Sequence, residues 1–142
     1  MIPKFRAWDK EFKIMSRVTR IDYRADLVEL SDGEPYLQGF GRVELMQSTS
    51  LKDKNGKEIF EGDVLEIQGI KMIVRFGSYN YIETSKSGTH TLGIMCDGLG
   101  FYVECLNVAA PDRISPFEPE TLKAGKIIGN VYENKEFLED SE

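Results

Sequence analysis

The chain has 142 residues, 41% of them apolar and 30% charged, and a net charge of −6. A chain of this size and make-up buries roughly two-thirds of its unfolded surface, which excludes both wholesale disorder and a miniature scaffold held only by disulfides. No apolar run approaches the ~20 residues of a membrane span, and an acidic chain is poorly suited to general nucleic-acid binding.

The charge is unevenly spread. Residues 1–24 hold seven Lys and Arg against three acids, while residues 101–142 hold four against nine. Such segments attract one another within or between chains, or stay as solvated faces. The N-terminus is polar from Lys4 and lacks a secretory apolar run, so residence in the cytoplasm is expected. Cys96 and Cys105, in apolar company, read as reduced, buried thiols that bridge only if they face each other across a hairpin.

The elements are short, β-branched or aromatic runs between turn residues. Lys4–Trp8 alternates, with Phe5 and Ala7 on one face and Arg6 on the other. Asp9-Lys10-Glu11 reads as a turn and Phe12–Val18 as the returning strand, so the chain opens with a hairpin. Asp26–Leu30 is a strand ended by Ser31-Asp32-Gly33, and Arg42–Gln47 is another. Asn55-Gly56 reads as a type I′ turn, which needs positive φ at both central residues. Glu61-Gly62-Asp63 turns into Val64–Ile67, and Gln68-Gly69 links that strand to Lys71–Phe76. Tyr79–Glu83 continues the meander, and Ser85–His90 reads as a polar loop. Leu92–Cys96 and Phe101–Leu106 are expected to be two arms of a hairpin around Asp97-Gly98. Pro111, Pro116 and Pro119 make the next stretch irregular. Lys126–Tyr132 is a last strand, and Glu133–Leu138 forms a helical turn or two.

These elements predict a single, mainly β domain over residues 1–142: an antiparallel barrel or two packed sheets with one or two short helices. Within it, residues 1–24 form a basic N-terminal hairpin and 133–142 a short helix and acidic tail.

Three stretches together resemble one family: KFRAWDK at 4–10, LMQSTSLKDKNGKEIFEGDV at 45–64 and IIGNVYEN at 127–134. In order and spacing they are similar to the YopX family of phage and prophage proteins, nearly end to end. Ser50 stands where the family pattern has Gly, which bears on a turn. The resemblance implies a phage or prophage origin, a mostly β fold and a bacterial cytoplasm. It implies no activity, since the family has no established biochemical function, and it carries over no functional residue. The shared positions have structural readings: Asn55-Gly56 and Glu61-Gly62-Asp63 as turns, Phe5, Val64 and Ile128 as core.

The common catalytic patterns are missing. Nucleophilic catalysis by Ser or Cys usually needs a general base, most often His, and His90 is the single histidine. Cys96, Cys105 and His90 lack the paired spacing of a zinc site. Asp53-Lys54-Asn55-Gly56 resembles part of a calcium loop without its alternating ligands or closing Glu. Gly98-Leu99-Gly100 fails as a dinucleotide fingerprint because Val103 occupies the third glycine position. No enzyme activity, cofactor or metal is therefore expected.

The speculative binding residues are Arg6 and Trp8, sharing one strand face, with Lys10 in the following turn, and Lys52, Lys54 and Lys57 in a second basic loop. Arg–aromatic pairs stack on bases or grip protein partners; the competing reading makes Trp8 core and the lysines turn solubilisers. The leading expectation is a non-enzymatic protein-interaction module whose partner is a host or phage protein or a second copy of itself. The alternative is a nucleic-acid-binding small barrel, and the weakest is a carboxylate- or metal-dependent hydrolase.

Overall fold

The computed structural model describes residues 4–87, 90–108 and 113–139, with backbone alone for 85–87 and 90–91. The chain divides into two compact units, Met1–Ser50 and Leu51–Glu142.

The first unit holds β1 (Phe5–Asp9), β2 (Ile14–Asp22), β3 (Leu27–Asp32), β4 (Glu34–Gly39), one 3-10 turn and most of β5 (Val43–Lys52). Within it the strand order is β4-β3-β2-β1-β5, all antiparallel. Its hairpins are fixed by aspartates. Asp9 Oδ1 accepts from the N–H of Glu11 and Phe12, and Asp22 Oδ1 accepts from those of Arg24 and Ala25. Each side chain thus mimics a backbone turn acceptor. Ala7, Val28, Leu30 and Val43 form the core, with Val18, Ile21, Tyr36 and Phe40 packed around them. Strand β4 escaped the sequence reading because Pro35 interrupts it. As an edge strand it tolerates a residue with no N–H to donate.

The second unit holds β6 (Glu58–Phe60), β7 (Asp63–Ile67), β8 (Ile70–Ser87), β9 (His90–Cys105), β10 (Ile114–Pro116), α1 (Pro119–Lys123), β11 (Lys126–Asn130) and α2 (Glu136–Glu139). Its five-stranded sheet has the order β10-β9-β8-β7-β11. Consecutive residues of β7 and β8 are buried on both faces. Leu65, Met72, Val74 and Val103 join Ile59 and Leu122 in one cluster; Val64, Ile73, Leu106 and Val131 form another. The short helices each supply one side, Leu122 from α1 and Phe137 from α2. The described strands thus form two antiparallel sheets without a closed barrel, as the second form of the expected fold has it.

Three local expectations are corrected. The turn at Asn55-Gly56 exists, but Gly56 alone of the pair has positive φ (84°), so it is not type I′. Its β-turn closes one residue earlier, with Gly56 N–H donating to Asp53 O, because the Asp53 carboxylate holds the N–H of Asn55 and Lys57. The pair with positive φ at both positions is Gln68 (50°) and Gly69 (82°), between the paired Ile67 and Ile70. Secondly, Asp97-Gly98 is no turn. Strand β9 runs straight through it, and β8 and β9 stay in unbroken register from Met72↔Cys105 to Ser87↔His90. Thirdly, the polar loop shrinks, since Ser85–Ser87 and His90 already belong to strands; Gly88 and Thr89 lie outside the described residues. The side chain of His90 lies outside them too.

Candidate interaction surface

The residues singled out from the sequence fall in both units: Arg6, Trp8 and Lys10 in the first, Lys52, Lys54 and Lys57 in the second. Arg6 and Trp8 do share a face of β1, opposite buried Ala7 and Asp9, and both are half-buried. Trp8 is therefore neither a free stacking platform nor a buried core residue. Across the ladder it stands between Met15 and Glu44, and Arg6 stands between Arg17 and Met46. Lys10 is exposed and ion-paired with Glu44 at 3.4 Å. Arg20 likewise lies 3.9 Å from Asp22 and 3.8 Å from Glu29, so part of the basic front is met by acids of its own unit. Lys52, Lys54 and Lys57 are exposed around the Asp53 turn.

Buried carboxylates are the groups with the most perturbed surroundings. Burial pushes the Asp9 carboxyl up, but hydrogen bonds from Tyr36, the Phe12 N–H, Gln38 and the Glu11 N–H outweigh it and hold it below the usual carboxylate range. Tyr36 Oη donates to Asp9 Oδ2 at 2.6 Å, and burial together with that carboxylate pushes Tyr36 up to about 12. Gln38 also donates to Glu11 Oε2 at 3.0 Å, which Arg42 meets at 2.6 Å. Burial opposes ionisation of Asp53 as well, yet the N–H groups of Ile127, Lys57 and Asn55 bring it below its ordinary value. Asp63 accepts from the Phe60 N–H at 2.8 Å. Asn130 Oδ1 accepts from Tyr132 and Glu133, while Asn134 Oδ1 accepts from the Asn130 N–H. The oxygens of these groups face inward to backbone and side-chain donors, the arrangement of turns held from within. The sequence reading missed Tyr36 and Gln38 because both lie on β4.

The β8–β9 ribbon is the largest feature the sequence reading did not foresee. At 18 and 16 residues its strands far exceed the usual 3–10. Strand β7 pairs with β8 only over Ile70–Ile73, and β10 pairs with β9 only over Tyr102–Glu104. From Phe76 and Phe101 outward, and among the described residues, the two strands pair only with each other, over twelve residues apiece or roughly 40 Å.

The register sorts the side chains of this distal part. Tyr79, Tyr81, Leu92 and Ile94 take one face; Ile82, Met95 and Leu99 take the other. On the first face Tyr79 stacks on Tyr102 with centroids 4.7 Å apart and lies 5.7 Å from Tyr81. The Tyr79 ring also covers Gly98, where a Cβ would collide with it. Midway, Gly77 and Gly100 face each other with φ of 147° and 131°, a conformation that requires glycine on both strands. Asn80, its amide nitrogen turned to Asp97 across the ladder, donates to Oδ1 at 2.6 Å. Large apolar side chains nonetheless stay in water: Leu99 is 84% exposed, Met95 65%, Leu92 61% and Ile94 50%.

Both cysteines are free and half-buried. They lie on one extended strand, nine residues or roughly 30 Å apart, far beyond the reach of a disulfide. Burial pushes the Cys105 thiol up, aided by Glu104, so it is a poor nucleophile at neutral pH. Cys105 lines a pocket of about 190 Å³ with Met72, Val103, Pro116 and Leu122. Ligand pockets are usually larger, ~300–1,000 Å³. Among the described residues no helix is long and apolar enough to cross a membrane.

A search of curated proteins returns no match. Among solved structures, the chain is similar to protein EF1440 from Enterococcus faecalis. The two are 29% identical with a TM-score of 0.49, over 97% of this chain and 99% of that one. The stretches at 4–10, 45–64 and 127–134 prove to hold turns through Asp9, Asp53, Asp63, Asn130 and Asn134, and the sequence profile described as YopX protein matches residues 4–139. The chain belongs to the YopX family.

Proposed function

We propose that this is a phage- or prophage-encoded protein-interaction module that works in the bacterial cytoplasm without catalysing a reaction, and that the distal β8–β9 ribbon is its contact surface. One observation carries the reading: four large apolar side chains of β9 remain half or more exposed where, among the described residues, that strand pairs only with β8. An isolated two-stranded ribbon is marginally stable at best in water, and clustered apolar exposure of this kind marks interaction sites. The buried carboxylates support it from the other side, since their oxygens are committed to holding turns.

A nucleic-acid partner is the weaker reading. That reading supposed a small barrel, whereas the described strands form two sheets that do not close, and Lys10 is already matched by Glu44. The test is affinity capture from phage-expressing cells with the wild-type chain and with Met95→Lys/Leu99→Lys, compared by quantitative mass spectrometry. A protein recovered by the wild type and lost with the variant is the expected result. Identical recoveries from both would remove the ribbon from the contact.

A further inference from the structure

Resting on that reading, we infer that the ribbon's occupant is a second copy of this chain, joined by antiparallel pairing of the two open β9 edges over residues 91–101. Folded proteins guard free strand edges with Pro, Lys, bulges or short length. The other strand edges among the described residues are guarded: β4 carries Pro35, β6 and β10 are three residues long, β11 bulges between Ile127 and Gly129, and the distal part of β8 carries Glu83. Residues 90–101 of β9 contain no Lys, Arg or Pro and a single carboxylate, Asp97.

The exposed side chains indicate how that edge is covered. Leu92 and Ile94 lie on one face of β9 and Met95 and Leu99 on the other. A partner lying flat on the ribbon shields one face only, whereas a strand added at the edge flanks both. It must itself be apolar on both faces and nearly uncharged, and β9 is such a strand. The four side chains leave roughly 100 Å² each in water, so two copies bring together about 800 Å² before backbone is counted. That approaches the ~1,000 Å² of a specific interface.

A twofold axis perpendicular to the ribbon pairs residues of the same face, so it passes through one residue and its own copy. Centred on Asp97, it would set two carboxylates opposite each other. Centred on Cys96, it places Leu92 opposite Gly100, Ile94 opposite Gly98 and Leu99 opposite Gly93 of the second copy. Three of the four large side chains then meet a glycine, and Met95 stands opposite Asp97. Cys96 faces its own copy at a separation that antiparallel pairs and disulfides share, about 5 Å between Cα atoms.

Analytical ultracentrifugation of the full chain at tens of micromolar tests the pairing. The wild type is expected at twice the 16.2 kDa chain mass, and Leu99→Lys, whose parent side chain is already in water, at the single-chain mass with an unchanged circular dichroism spectrum. In the Cys105→Ser background, diamide, which takes two electrons and two protons from a pair of thiols, is expected to link the dimer through Cys96. A monomeric wild type, or a Leu99→Lys variant that stays dimeric, overturns the pairing; a Leu99-dependent dimer that does not link through Cys96 overturns the register. If the wild type is monomeric while Met95→Lys/Leu99→Lys still loses a captured protein, self-pairing falls and the interaction reading stands.

Discussion

Asp53 is 6% exposed and charged, yet three backbone N–H groups converge on it: those of Asn55 and Lys57 on Oδ1 and that of Ile127 on Oδ2, all at 2.9 Å. The first two shape the turn, and the third ties it to β11, 74 residues away in sequence. Removing the carboxylate strands all three donors, and each buried unsatisfied group costs about 1–3 kcal/mol. Asp53→Ala is therefore expected to destabilise the protein by about 3 kcal/mol or more in urea denaturation, and Asp53→Asn by less, since its amide keeps one acceptor oxygen. Ser50 offers the opposite case. It holds φ of 65°, in the left-handed region, with its N–H donating to Ser48 Oγ at 2.9 Å. A non-glycine residue pays about 1–2 kcal/mol for that conformation, part of which glycine returns through its greater freedom when unfolded. Ser50→Gly is expected to raise stability by about 0.5–1 kcal/mol, read as a higher urea midpoint at unchanged slope. Its departure from the family pattern was visible in the sequence; the positive φ that gives it meaning was not.

Elements were legible where side chains fix the local backbone. Asp9-Lys10-Glu11, Gly33 and Gln68-Gly69 all turn as expected, because Asx acceptors and glycines act within a few residues. The ribbon was misread for the same reason. Asp97-Gly98 carries a strong local turn signal, but cross-strand pairing with Tyr79 and Asn80 overrides it, and the glycine proves to be a floor for the Tyr79 ring. The same local reading hid the ribbon's exposed surface, since a short hairpin would have had no unpaired distal part. The binding residues proposed from charge alone fared little better, because sequence does not show that Trp8 is half-buried or that Lys10 has a partner. Within the ribbon, Gly100 is one position that tolerates little change. A Cβ would meet nothing within 4 Å, but φ of 131° strains any other residue, at a cost of about 1–3 kcal/mol. Gly100→Ala is expected to weaken the ribbon locally. Amide exchange should accelerate across residues 92–100, while the amides of buried Leu30 and Leu65 keep their protection. Uniform acceleration throughout the chain would show instead that the ribbon is coupled to global unfolding.

At the scale of the whole molecule the sequence left barrel and two sheets open, because closure depends on strand stagger and long-range pairing that no local run encodes. The two units share one device, a buried aspartate holding a hairpin, and it gives the chain a pH profile with two limbs. Asp9 and Asp53 both ionise more readily when folded than their ordinary value of 3.8. The unfolded chain therefore takes up protons first as pH falls below that value, and stability drops on the acid side. Tyr36 works in the other direction. Folded, it keeps its proton to about 12; unfolded, it releases it near 10. Between those values the unfolded chain binds fewer protons than the folded one, so the stability Tyr36 contributes is complete below 10 and is lost as pH rises towards 12. Surface lysines titrate in the same range, and Tyr81 is also raised, by burial and then by Glu83. The contribution of Tyr36 is isolated by difference. Tyr36→Phe removes the donor to Asp9 and is expected to cost about 1–3 kcal/mol near neutral pH. That gap between the wild type and the variant, followed by urea denaturation, should hold constant up to pH 10 and narrow steadily above it. A gap that stays constant through that range would mean that the Tyr36–Asp9 hydrogen bond does not hold the phenol protonated.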